Sequence, residues 1–290
     1  MGDQVILTGA LHQIKNTYPE IILDVERGPG TDGIFAAIPY LSKLDKTQAD
    51  VEIYPGFPSA QEIADCGGSL TGLSFTQMVH YCLMKKMGLS WSIANVKPDL
   101  YVPGGVENPV KVLTPNRYWI LAAENSVPFK WYPHYTEVIR ALQGRIVFVQ
   151  VGIDKAASIE GALNLCGTTS IAELLAIFHD ASGAIGGPGF SAHIAAGFNI
   201  PHVTIAGSIE HPRFCKYSGQ IVLYNNGRFA CGDKSGNCKR VSTWRPRLPS
   251  HPCPGWDGKS TACMRAIRPE AVIAAIEHYN RAEIRPERKG

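Results

Sequence analysis

The chain has 290 residues, 45% of them apolar and 18% charged, with a net charge of +3. That length accommodates two ordinary domains, and the composition excludes a disordered chain or a coiled coil. The nearly balanced charge excludes the strong basic field of a nucleic-acid binder, and the tail 281–290 mixes acids with its bases and reads as a solvated end.

No run approaches the ~18 consecutive apolar residues of a membrane span. The start, Met1-Gly2-Asp3-Gln4, has no basic n-region, so a cytoplasmic location is the expectation. In that compartment the eight cysteines are expected as thiols or metal ligands rather than disulfides.

In chain order, short apolar runs at 21–25, 51–54 and 100–102 read as strands of a first unit. Runs at 119–123, 146–151, 184–186, 203–206 and 221–224 read as strands of a second. They are continuous rather than alternating, as expected of parallel strands covered on both faces. Between them, Pro133 and Gly144 bracket a helix over 135–142. Ser170 and Glu173 form a capping-box pattern for a helix reaching about Phe178. A terminal helix is expected over 269–284, with Val272, Ile273, Ile276 and Tyr279 at helical spacing. This βα order predicts doubly wound α/β architecture. The seam is Pro103-Gly104-Gly105-Val106-Glu107-Asn108-Pro109, which divides the chain into 1–108 and 109–290. From 225 to 264 the βα rhythm fails, and a segment rich in Cys, Gly, Pro, Trp and Arg needs another source of order.

Two glycine-containing turns carry the chemistry. Gly167-Thr168-Thr169-Ser170 opens one helix, and Gly186-Gly187-Pro188-Gly189 ends a strand and opens another. A helix N-terminus reached through such a turn offers backbone N–H groups to a phosphate or pyrophosphate. The spacing is not G-x-G-x-x-G, and the chain contains no G-x-S-x-G elbow, H-E-x-x-H pair or Walker lysine.

Four segments in order resemble the heptosyltransferase family of glycosyltransferases. Gly2-Asp3-Gln4-Val5-Ile6-Leu7-Thr8-Gly9-Ala10-Leu11 is similar to its opening G-D segment, and Lys130-Trp131-Tyr132-Pro133 to its K-x-W-P motif. Asn164-Leu165-Cys166-Gly167-Thr168-Thr169-Ser170 with Glu173-Leu174 resembles N-L-x-G-x-T-S-x-x-E-L, and the loop ending in His193-Ile194-Ala195-Ala196 closes the set. The resemblance implies a GT-B fold of two Rossmann-like, doubly wound parallel-sheet domains. Residues 1–108 would form the acceptor side, and 109–290 the nucleotide-sugar side with a cysteine-rich insert. It also implies a nucleotide-diphospho-sugar donor, an ADP-heptose if the likeness is complete, and inversion at the anomeric carbon. Catalysis would need no cofactor.

Three departures accompany the likeness. The family's donor loop carries an acid, and Gly187-Pro188-Gly189-Phe190 has none. The family places a strand before the G-D motif, so either the native start lies upstream or 4–7 serves as strand. The cysteine-rich insert resembles the iron- or zinc-bearing finger of heptosyltransferases that modify autotransporter proteins.

Each candidate residue has a structural alternative. Asp3 is the implied general base, or a cap on the first helix. Lys130 offers a point charge to the diphosphate, with Asn125 and Ser126 as neutral donors, or is a solvated lysine. Gly187, Gly189, Ser191 and His193 form the second arm of the donor site, or a tight turn beside a buried histidine. Thr168 and Thr169 contact phosphate or cap a helix, whereas Glu173 belongs to the capping box. Cys231, Cys238, Cys253 and Cys263 are separated by six, fourteen and nine residues, without C-x-x-C knuckles. They would hold a structural zinc or iron, form two local disulfides, or pack as thiols. The expected function is glycosyl transfer to an acceptor the sequence does not name. The alternatives are a non-catalytic nucleotide-sugar binder, or a metal- or redox-sensing protein built on the cysteines.

Overall fold

The structure, a computed structural model, describes residues 2–26, 31–43, 73–114, 117–123, 128–154, 158–225, 229 and 253–282. The second half builds one sheet from β1 (Tyr118–Ala122), β2 (Val147–Gln150), β3 (Leu163–Asn164), β4 (Gly183–Gly186), β5 (His202–Gly207) and β6 (Ile221–Tyr224). Their order is β3-β2-β1-β4-β5-β6, and every pairing is parallel. The chain therefore steps outward from β1 in one direction, then returns to β4 and steps outward in the other. The seam between β1 and β4 is the topological switch point, and in open parallel sheets ligands bind at its carboxyl ends.

Side chains of successive strand residues serve two cores. Ile120, Val149 and Ala184 face one layer, and Trp119, Leu121, Phe148, Ile185, Val203 and Ile205 face the other. The helix after β1, α5 (Tyr135–Leu142), and the terminal helix α8 (Pro269–Ala282) cover the second face. On the first face lie α6 (Ile171–Asp180) and α7 (Phe190–Gly197). The capping box of α6 forms as read from the sequence: Ser170 Oγ accepts from the Glu173 amide, and Glu173 accepts from the Ser170 amide.

The first third adds helices to that same layer: α1 (Gly2–Thr17), α2 (Asp32–Phe35) and α3 (Phe75–Met87). Residues 4–7 are thus helical, not a strand, because Val5 and Ile6 are fully buried in the α1 packing face. Gly9 brings α1 against the backbone of Lys97, where a Cβ would lie 2.2 Å from the carbonyl oxygen. Residues 100–102 are not a strand either; Leu100 is buried and packs on α7, where a Cβ at Gly197 would lie 2.7 Å from its Cδ1. In the 21–25 run only Leu23 pairs among the described residues, through an isolated parallel bridge to Leu41. The 51–54 run lies outside the described residues. The seam 103–109 is an irregular segment with a turn at Gly104 and Gly105, followed by α4 (Val110–Leu113).

Candidate functional site

The switch point brings the loop after β1 and the loop after β4 together. Lys130 closes a 3₁₀ turn, Pro128–Lys130, beyond the end of β1. Its Nζ donates to the carbonyl of Pro188, in the turn after β4, at 3.2 Å. The same ammonium pairs with Glu210, which follows β5, and both side chains are mostly covered, 14% and 15% exposed. Three neighbouring strand ends, β1, β4 and β5, therefore converge on one lysine.

The 187–189 turn leads into α7 with Gly189 as N-cap, and among the described residues no side chain caps that helix. An uncapped helix start with a lysine beside it is suited to a diphosphate, by backbone donors and by the helix dipole. Ser191 does not face that space. Its hydroxyl is buried against His202 Nε2 at 3.1 Å, and His202 Nδ1 lies 2.8 Å from Thr204 Oγ1. Burial holds His202 down at about 3, so it stays neutral.

His193 lies one turn into α7. Its Nδ1 is 2.7 Å from the Tyr217 hydroxyl, which is 2.6 Å from Thr76 Oγ1 on α3. Burial first, and the charge of Lys130 second, lower His193 to about 3. The imidazole is neutral at any ordinary pH and serves as a hydrogen-bonding group rather than a cation.

Asp3 occupies the first turn of α1, and the N-terminus of α1 meets that of α7. A Cβ added at Gly2 would lie 3.5 Å from His193 Cδ2 and 3.9 Å from the Phe190 Cα. Asp3 is exposed at this junction, yet desolvation by the surrounding chain raises its carboxyl above the ordinary carboxylate range. A carboxylate shifted upward and open to solvent is a better proton acceptor than an ordinary surface aspartate.

The structure thus assembles Asp3, Lys130, Gly187, Gly189 and His193 at one end of the sheet. Thr168 and Thr169 do not join them. They follow β3, the outer strand on the far side of β2, and the Thr168 hydroxyl donates to Leu165 O at 2.8 Å within its own turn. An open groove of about 660 Å³ runs along Gly105, Val106, Glu107, Asn108 and Pro109 to Ser170 and Glu173, and contains none of the assembled residues. Ser126 and Asn125 lie outside the described residues.

Glu210, Tyr217 and Thr76 were missed in the sequence. Glu210 was findable from its position alone, because residues just past the carboxyl end of a parallel strand border the ligand crevice. Tyr217 and Thr76 are 141 residues apart and no spacing announces them.

Cys253 and Cys263 bracket a loop closed by the Trp256–Thr261 bridge. Cys263 is buried, with its Sγ 3.3 Å from Thr261 Oγ1 and beneath Gly207, where a Cβ would meet it at 3.2 Å. Cys231 and Cys238 lie outside the described residues. Among the described residues no group of three or more His, Cys, Asp or Glu converges to hold a metal ion. No described helix is long and apolar enough to cross a membrane.

The six-stranded parallel sheet with helices on both faces is that of a mixed α/β protein, and its fold is consistent with that of GT-B-type solved structures. Among solved structures the chain is similar to the iron-containing dodecameric glycosyltransferase TibC from enterotoxigenic E. coli, at TM-score 0.69 and 17% identity, over 98% of this chain and 74% of that one. A structure of TibC in complex with ADP-D-β-D-heptose matches at 0.69 and 18%, over 97% and 74%. The E. coli ADP-heptose LPS heptosyltransferase II matches at 0.66 and 15%, over 98% and 97%. At these identities the likeness is one of fold. No protein-family model and no curated protein matches the chain.

Proposed function

We propose that the chain is a glycosyltransferase that takes a sugar from a nucleotide-diphospho-sugar, with heptose as the first sugar to test. The observation that carries this reading is the junction at the switch point, where Lys130 and the uncapped start of α7 share one space through the Nζ–Pro188 hydrogen bond. Lys130, the amides opened by Gly187 and Gly189, and His193 hold the diphosphate. Asp3 takes the proton of an acceptor hydroxyl as its oxygen bonds to the anomeric carbon. The bond from that carbon to the terminal phosphate oxygen breaks, and the nucleoside diphosphate leaves toward Lys130. A single displacement inverts the configuration.

In this reading residues 1–108 present the acceptor and 109–290 the donor, across the seam at 103–109. The heptose proposal is supported by the TibC complex with ADP-D-β-D-heptose. A structural zinc or iron on Cys231, Cys238, Cys253 and Cys263 is supported by iron-containing TibC and by the gathering of four cysteines in the one segment that lacks βα rhythm, and metal analysis of the purified protein tests it. No chemical step runs through that metal. An activated sugar as donor fits a cytoplasmic location.

Calorimetry against ADP, GDP and UDP and their sugar conjugates tests the donor site. Saturable binding to one series, followed by turnover, is expected. In Asp3→Asn turnover should fall by about 10² to 10⁴, the usual contribution of a general base, with nucleotide affinity unchanged. Retained turnover in that variant would remove Asp3 from the mechanism, and no binding to any nucleotide would remove the transferase reading.

A further inference from the structure

We infer that Glu210 is a selectivity residue of the donor site, favouring a diphosphate that carries a sugar over the bare nucleoside diphosphate. The inference rests on the donor site proposed above and specifies what that site rejects.

Lys130 has three N–H donors. Among the described residues one goes to the Pro188 carbonyl and one to Glu210, which leaves the third for a ligand seated at the start of α7. Both partners of the ion pair are mostly covered, so water screens their charges weakly. The charge of Glu210 reaches beyond Lys130: together with burial, it helps push the Cys215 thiol up to about 12. A ligand phosphate drawn to this lysine therefore also meets a carboxylate already bound to it.

The two ligands differ in what they bring to that carboxylate. The terminal phosphate of a nucleoside diphosphate is a monoester-like group that carries close to two negative charges near neutral pH, because its second ionisation falls near ~6. Glycosylation converts it to a diester with one charge and adds a ring of hydroxyl donors. The extra charge of the bare diphosphate is repelled by Glu210, whereas sugar hydroxyls donate hydrogen bonds to a carboxylate. The turn 187–190, Gly-Pro-Gly-Phe, contributes no acid of its own, so Glu210 is the carboxylate in direct contact with the phosphate-binding lysine. In a transferase this bias works twice, admitting the loaded donor and easing release of the spent nucleotide.

The test is the ratio of two affinities in the full chain. Wild type and Glu210→Gln are titrated calorimetrically with ADP, GDP and UDP, and with ADP-heptose, GDP-mannose and UDP-glucose. In the variant the bare nucleotide should tighten relative to its conjugate by about tenfold, the size of one charge–charge interaction at a partly screened site. An unchanged ratio, with both ligands tightening equally, would make Glu210 a mere counter-ion of Lys130 and overturn the inference. Equal weakening of both would make Glu210 a structural residue and overturn it as well. If Glu210→Gln does not fold, Glu210→Asp, which withdraws the charge by one methylene, should shift the ratio in the same direction by less, and no shift overturns the inference. If no nucleotide binds wild type or either variant, the donor site falls and this inference with it. Binding with an unmoved ratio leaves the donor site standing and removes Glu210 alone.

Discussion

The turns that open α6 and α7 both carry glycine after a parallel strand, and end in opposite states. At α6, Ser170 and Glu173 satisfy the helix start themselves: the Ser170 amide donates to Glu173 at 2.7 Å and the Ser170 hydroxyl to the same oxygen at 2.8 Å. Those bonds hold the Glu173 carboxyl below the usual range. At α7 the N-cap is Gly189, which has no side chain to offer, and a lysine and a half-buried histidine stand beside it. The helix end that is satisfied internally is an element of the fold, and the one left uncapped beside a mostly covered cation is the donor seat proposed above. The capped end lies toward the outer edge of the sheet, and the uncapped one at its switch point.

The strongest way to break this contrast is at Lys130. Lys130→Ala leaves Glu210 mostly buried without its cation, so we expect a loss of about 3 kcal/mol in denaturant unfolding, in the range for breaking a buried pair. Nucleotide affinity should fall with it in calorimetry. Next, Gly189→Asp gives α7 the cap it lacks. The helix should gain a few tenths of a kcal/mol, while donor affinity falls at least about tenfold as a carboxylate takes the amides proposed for phosphate. Improved stability with unimpaired donor binding would mean the start of α7 is not the phosphate seat.

Protonation gives a third lever. His80 and His202 are held to about 4 and about 3 by burial, against an ordinary 6.5. The unfolded chain therefore binds protons that the folded chain refuses. Stability is full above about pH 6.5 and declines as pH falls from there toward 4 and 3, by up to ~1.4 kcal/mol per pH unit for each histidine. Unfolding midpoints measured between pH 7 and 4 should trace that decline. The smallest effect belongs to the capped helix: Ser170→Ala should cost about 1 kcal/mol of stability and leave nucleotide binding where it was.

Much of the sheet was legible because its strands are buried on both faces and so read as unbroken apolar runs, as at Tyr118–Ala122 and His202–Gly207. Two helices, at Ser170 and Pro269, were legible from a capping box and an early proline. The strand Leu163–Asn164 is two residues long and leaves no pattern. Residues 100–102 show the opposite failure, since apolar residues buried against a helix cannot be told from a strand by composition. In the site, Asp3, Lys130 and the 187–189 turn came from motifs, and the structure brings them to one place. Glu210 did not, because its meaning comes from the order of strands in space, which no local window contains.

The hydrogen-bonded line from His193 through Tyr217 to Thr76 joins α7, beside the proposed donor seat, to α3 in the first third of the chain. Both links are short and Thr76 is buried, so the line cannot stretch without breaking. Any rocking of the first third against the sheet must then be felt at the imidazole within one helical turn of the phosphate seat. If the proposed seat is loaded, the amides of Phe75–Met87 are expected to report it as a strain gauge, slowing or quickening their exchange with solvent deuterium.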